Sequence, residues 1–144
     1  MSTPGVEVII EARAVHKTFQ LGTHRIEALR GVDLQVSPGE FLAIAGTSGS
    51  GKSTLLNLLG CLDQPTSGSV HFEGKSVGSL DEKTLADLRA RNIGFVFQTF
   101  NLLPVLTALE NVEYALLRLE ASPAERQKLS LRALERVGLG KFAQ

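Results

Sequence analysis

Gly46-Thr47-Ser48-Gly49-Ser50-Gly51-Lys52-Ser53, entered from the apolar run Phe41 to Ala45 and left through the leucine-spaced Lys52 to Leu59, is the stretch that decides the fold. It meets the full G-x-x-x-x-G-K-[ST] spacing. Glycines let the backbone close around an anion with no Cβ in the way. Successive N–H groups from about Ser48 to Ser53 then point inward, and the helix that follows adds its positive end. Lys52 is placed to reach β- and γ-phosphates as a point charge. The Ser53 hydroxyl suits Mg²⁺, an ion that keeps most of its waters and takes phosphate oxygens. Thr54 adds a contact to the α-phosphate. The loop calls for the triphosphate of a nucleotide with Mg²⁺, held by Gly46, Thr47, Ser48, Gly49, Ser50, Gly51, Lys52, Ser53 and Thr54; the base it leaves open is expected to be the adenine of ATP. A flexible Gly/Ser turn that matches by chance would not need a buried strand before it and a helix after it.

Working outward, the 144 residues fit one domain. With 43% hydrophobic and 21% charged residues the chain has the apolar share of a globular protein. Fifteen basic residues balance fifteen acidic ones, whereas a nucleic-acid or anionic-membrane binder carries a basic excess. A single cysteine, Cys61, excludes an internal disulfide framework and suits a reducing compartment. The apolar runs are far shorter than a bilayer span, and Met1 to Gly5 lacks a signal-peptide pattern. The chain is expected in the cytoplasm, with no direct membrane insertion.

Glu7 to Val15 is rich in β-branched and small apolar residues and predicts a strand, followed by a polar loop around Thr18 to His24. Leu34-Gln35-Val36 leads to the turn Ser37-Pro38-Gly39-Glu40. Phe41 to Ala45 is a short continuous apolar run, as expected of a strand buried on both faces, and Ile93 to Phe97 reads as an apolar strand ending at Gln98. Gln64 to Gly68 reads as a turn, and Ser69 to Glu73 alternates like a strand. Three helix starts carry a hydroxyl residue with glutamate three places on: Ser79 with Glu82, Thr107 with Glu110, and Ser122 with Glu125. Pro123 sits at the first helical position, and the last helix is expected to close at Gly138. Strands alternating with helices predict an α/β fold with a mostly parallel core. His16, His24 and His71 show no metal-ligand spacing and read as surface or edge residues. Cys61 reads as a small buried hydrophobe on the helix after the loop. The charges Glu125, Arg126, Lys128, Arg132, Glu135 and Arg136 read as a solvated helix face.

Beyond the loop, three stretches resemble the ATPase subunit of ABC transporters, most nearly the lipoprotein-release and macrolide-export branch. They are Gly46 to Asp63 (GTSGSGKSTLLNLLGCLD), Pro65 to Gly74 (PTSGSVHFEG) and Ile93 to Val112 (IGFVFQTFNLLPVLTALENV). The third is the most specific. The resemblance runs from about Val8 onward and implies an ABC-type phosphate-loop core with an N-terminal antiparallel β subdomain and part of a helical subdomain. It implies N-terminal strands and an adenine-contacting loop over about 6–45, phosphate loop and helix over 46–63, a strand, helix and Q-loop strand over 64–98, and the start of the helical subdomain over 99–144. By that match Gln98 is the Q-loop glutamine, a catalytic residue that touches Mg²⁺ or the attacking water and links nucleotide to membrane partner. An amide offers both donor and acceptor for such a role; without the match, Gln98 is a solvated strand end. Phe19 falls where the family stacks an aromatic on adenine, with phenylalanine in place of the more familiar tyrosine. Taken alone, Phe19 reads as core.

The resemblance also implies a transmembrane permease partner, a second ATPase subunit, and a place on the cytoplasmic face of the membrane. The family continues with an SGGQ signature, a hydrophobic strand ending in Asp-Glu, and a switch histidine, none of which is found here. Leu129-Ser130 is followed by Leu131-Arg132 rather than two glycines, and Leu116 to Glu120 is broken by Arg118, so neither substitutes. The expectation is a truncated domain that cradles phosphates, with hydrolysis belonging to the complete one. A binding-only or partner-docking module, or a non-functional fragment, is the alternative. A GTPase is disfavoured by the lack of N-K-x-D, and a small-molecule kinase by the lack of an acceptor lid.

Overall fold

A computed structural model describes residues 8–118 and 120–142. The chain divides into two compact units, the first running through Gly94 and the second from Phe95.

The first unit is built on a four-stranded antiparallel sheet in the order β2-β1-β3-β4. β1 (Ile10–Leu21) and β2 (His24–Val36) form a long hairpin closed by Gly22 and Thr23. β3 (Ser67–Phe72) adds to the other edge of β1, and β4 (Lys75–Ser76) returns from β3. The expected strand from Glu7 to Val15 thus runs on to Leu21, past the loop expected at Thr18 to His24; Glu7 itself lies outside the described residues. The cause is pairing: Thr18, Phe19, Gln20 and Leu21 each find a partner between His24 and Glu27.

Ala12 and Val15 are three residues apart yet both fully buried, which a regular strand forbids. A bulge between them restores the inward face. Ala14 takes φ +44° in it, and its N–H donates to Asp33 Oδ1 at 2.7 Å.

α1 (Lys52–Leu59) spans the residues its leucine spacing predicts and lays Leu55, Leu58 and Leu59 on the sheet. They form one core with Ala12, Val15, Leu29, Val70 and Phe72, completed by Val77 and by Leu85 of α2 (Glu82–Asn92). α2 starts one residue pair later than expected. Asp81, not Ser79, is its N-cap, accepting from the Thr84 N–H at 2.8 Å. The Ser79 hydroxyl instead donates to the Ser76 carbonyl at 2.9 Å.

The two apolar runs expected as strands are not in any ladder among the described residues. Phe41 is 95% exposed, and Val96 is fully exposed; only Ile44 and Ile93 reach the edge of the core. Apolar composition records a readiness to be buried, but a strand forms only where a second backbone supplies hydrogen bonds. Every pairing described is antiparallel.

In the second unit α3 (Ala108–Ala115) and α4 (Pro123–Arg136) each open with the expected capping box. Thr107 accepts from the Glu110 N–H and Ser122 from that of Glu125, with Pro123 in the first turn of α4. α4 closes as expected at Gly138, φ +76°, where Gly138 N–H donates to the Glu135 carbonyl and Leu139 N–H to that of Leu134. The face expected to be solvated is partly spent on structure. Arg126 Nη1 donates to the Ala121 carbonyl at 2.7 Å, and its Nε lies 3.6 Å from Glu113 on α3. Ser130 is buried within α4 and donates to the Arg126 carbonyl. Asn111 pins the loop ahead of α3: its Oδ1 accepts from Leu103 N–H, and its Nδ2 donates to the carbonyls of Leu103, Leu106 and Thr107.

Candidate functional site

Three conformational choices shape the loop between Phe41 and α1. Gly49 and Gly51 take φ +78° and +88°, and Gly51 serves as the N-cap of α1 in the left-handed region. β2 carries Ala28 as an extra residue, since Leu29 pairs with Lys17 and Glu27 with Thr18. The Ala28 carbonyl oxygen lies 2.5 Å from where a Cβ on Gly51 would be. Gly51 is thus required twice over, by its backbone angle and by the strand beside it.

The first helical hydrogen bond of α1 is Leu55 N–H to the Gly51 carbonyl at 2.8 Å. The N–H groups of Lys52, Ser53 and Thr54 therefore precede the helix's own ladder. No side chain caps this end and its first turn holds no acid. α2, α3 and α4 all carry a side-chain cap and an acid there. An uncapped N-terminus with its donors aimed outward favours an anion.

Lys52 folds back over the loop. Its Nζ donates to the carbonyls of Gly46 at 2.9 Å and Thr47 at 2.7 Å, and approaches Ser50 Oγ at 3.4 Å. Ser50 N–H closes the loop onto the Thr47 carbonyl at 3.3 Å. Among the described residues no carboxylate is paired with Lys52. Its ammonium is already centred in the loop. Ser53 is exposed and Thr54 half-buried at the same helix end. No group of three His, Cys, Asp or Glu side chains able to hold a metal occurs among the described residues. A Mg²⁺ ion at Ser53 would therefore take its remaining oxygens from phosphate and water, as that ion prefers.

Phe19 is on β1 in the same unit, 42% exposed, opposite Ile26. Lys17, two residues earlier and on the same strand face, sets its Nζ 5.2 Å from the centre of the Phe19 ring. The same Nζ donates to Asp63 Oδ1 and to the Gln64 carbonyl, both at 2.7 Å. Sequence pattern does not single out Lys17 or Asp63; the i, i+2 spacing to Phe19 was the available signal. Gln98 is exposed, in the bend after Phe97, and belongs to the second unit.

Two other sequence readings change. Cys61 is buried as expected but lies past the end of α1, at φ +58°, with its carbonyl accepting from Arg89 Nη1 at 2.7 Å. Burial pushes its thiol pKa up, against the opposing pull of Arg89. His71 is not a plain edge residue, since its Nδ1 is buried with no hydrogen-bond partner among the described residues.

A glycine loop opening an uncapped helix, with a lysine folded into it, defines a phosphate-loop nucleotide-binding fold. The model of the ABC transporter family matches residues 29–144, so the chain belongs to that family as part of an ATP-binding domain. It is 51% identical over 92% of its length to an uncharacterized ABC transporter ATP-binding protein of Thermotoga maritima. It is 50% identical over 96% of its length to the lipoprotein-releasing system ATP-binding protein LolD of Alcanivorax borkumensis. The macrolide export ATP-binding/permease protein MacB of Marinobacter nauticus is 49% identical over 92% of the chain. The chain spans 56%, 59% and 21% of the lengths of these three relatives. Among solved structures, a dimeric ATP-binding cassette in a post-hydrolysis state with ADP and phosphate matches 94% of the chain and 60% of its own. That match has a TM-score of 0.83 at 46% identity. No helix among the described residues is long and apolar enough to cross a membrane.

Proposed function

We propose that this chain binds ATP with Mg²⁺ through Gly46 to Thr54, as the nucleotide-holding part of an ABC transporter ATPase that powers export or lipoprotein release. The observation that carries the reading is the contrast at α1. Alone among the four α-helices described, it lacks a side-chain cap and a first-turn acid, and it has a lysine folded over its entry. In this reading the amides of Ser48 to Thr54 hold phosphate oxygens, and Lys52 exchanges its two loop carbonyls for the β- and γ-phosphates. Ser53 Oγ holds Mg²⁺, which neutralises phosphate charge. Phe19 stacks on the base, and Gln98 serves as the Q-loop amide toward Mg²⁺ or water.

Hydrolysis is assigned to the complete domain. Lys52 and the loop bind ground state and transition state alike, so by themselves they tighten binding more than they speed reaction. Acceleration requires a group on the attacking water and donors meeting the γ-phosphate from the far side. A permease and a second ATPase subunit are the proposed partners, and the cytoplasmic membrane face the proposed location. Support comes from the relatives' names, which couple ATP-binding to permease and lipoprotein release, and from the dimeric cassette.

Calorimetric titration with Mg-ATP tests the binding claim. Lys52→Ala is expected to weaken binding about tenfold or more, equivalent to ~1.4 kcal/mol. Equal affinity in the variant would remove the loop from the account.

A further inference from the structure

We propose that Lys17 is a positioning residue for the nucleotide base, acting through Phe19; this rests on the reading of Phe19 as the base-stacking residue. Lys17 is not an ordinary surface lysine. Its side chain is only 13% exposed, and its ammonium is held on two oxygens, Asp63 Oδ1 and the Gln64 carbonyl. Those oxygens belong to the segment that leaves α1, the helix opened by the phosphate loop.

The same segment is tied to β1 on both sides of Lys17. Thr66 N–H donates to the His16 carbonyl at 2.8 Å, and Thr18 N–H to Thr66 Oγ1 at 3.0 Å. Backbone and side chain together fix where the ammonium sits. From there it lies 5.2 Å from the Phe19 ring centre, within cation–π range.

Two consequences follow for a base. One region of the Phe19 ring is already covered by a held cation, which directs a stacking partner to the open face. The ring is also restrained before the base arrives, so less rotamer freedom is lost on binding. With all its strong partners supplied by Asp63, Gln64 and the ring, the ammonium takes no part in holding phosphate. Lys17 thus links the helix that carries the phosphate site to the aromatic that meets the base.

The test is calorimetry of the full chain with two probes, Mg-ATP and inorganic triphosphate, the second of which has no base. Lys17→Met is expected to weaken ATP about three- to tenfold and triphosphate less than about twofold. Lys17→Arg, which keeps a cation beside the ring, should retain most of the ATP affinity. In a Phe19→Ala background the Lys17→Met change should vanish. Equal weakening of both probes would make Lys17 a general structural tie or a phosphate contact, and would overturn the inference. So would an undiminished Lys17→Met effect in the absence of Phe19. A protein in which Phe19→Ala weakens ATP but Lys17→Met does not refutes the inference alone. A Phe19→Ala protein with unchanged ATP affinity refutes the base-stacking reading, and the inference with it.

Discussion

Gly51→Ala would force an L-residue to hold φ +88°, ψ 4° at the entry to α1. The left-handed conformation by itself costs about 1–2 kcal/mol. The new methyl would also stand 2.5 Å from the Ala28 carbonyl oxygen and 3.0 Å from Leu29 Cδ2. Ordinary contact begins at about 3.5 Å, so the overlap with the backbone oxygen is roughly 1 Å. That oxygen belongs to β2 and cannot rotate aside as a side chain could, and such overpacking costs a further ~1–3 kcal/mol. The sum is about 2–5 kcal/mol. Gly49 is an internal control, with φ +78° but no atom within 4 Å of an added Cβ. Gly49→Ala should cost only the conformational part, about 1–2 kcal/mol. Native-state hydrogen exchange at α1 and β2 amides, such as Leu58 and Leu29, reads both costs within the first unit. Losses equal to within about 0.5 kcal/mol would show that the approach of β2 to Gly51 carries no energy.

Asn111→Ala removes four hydrogen bonds that shape the loop ahead of α3, and exchange of the Leu103 amide should quicken by about 1–3 kcal/mol in protection. Unchanged protection there would mean the loop is held by other contacts. Glu110 and Glu125 have carboxyl pKa values held below the usual range: Glu110 chiefly by the backbone N–H of Thr107, Glu125 chiefly by the Ser122 hydroxyl. A depressed folded-state pKa means stability present above the unfolded value of about 4.3 and lost as pH falls through the folded value. Helicity by circular dichroism should therefore drop on acidification through that window, and a Glu110→Gln, Glu125→Gln protein should show a flatter profile; an identical profile would refute the assignment. Phosphate release from ATP by the purified chain should stay at background. Robust turnover that disappears in Lys52→Ala would overturn the assignment of hydrolysis to the complete domain.

What the sequence made legible is what short-range chemistry dictates. The glycine loop, α1, both capping boxes and the Gly138 close depend on residues within a few positions of each other, and each forms where its pattern lies. β2 was nearly invisible: from His24 to Arg30 only Leu29 is buried, so no alternation marks the strand, and its partner β1 decides the matter. Asp81 is the cap in place of Ser79 because the Ser79 hydroxyl bonds the Ser76 carbonyl of its own turn, while the Asp81 carboxylate accepts from the Thr84 N–H. Phe41 to Ala45 and Ile93 to Phe97 look in sequence like paired strands, because hydrophobicity does not report whether a neighbouring backbone is present. The position of the glycine loop ahead of α1 follows from its local pattern, whereas Lys17 and Asp63 come together only through the fold.

Amide spectroscopy of the isotopically labelled chain during titration with Mg-ATP tests the central claim most directly, since it locates the triphosphate as well as detecting it. The backbone N–H signals of Ser48 to Thr54 should move furthest and saturate together, because these donors precede the first hydrogen bond of α1. Saturating shifts confined to other segments, or no shifts at millimolar nucleotide, would contradict the assignment of this loop as the phosphate site.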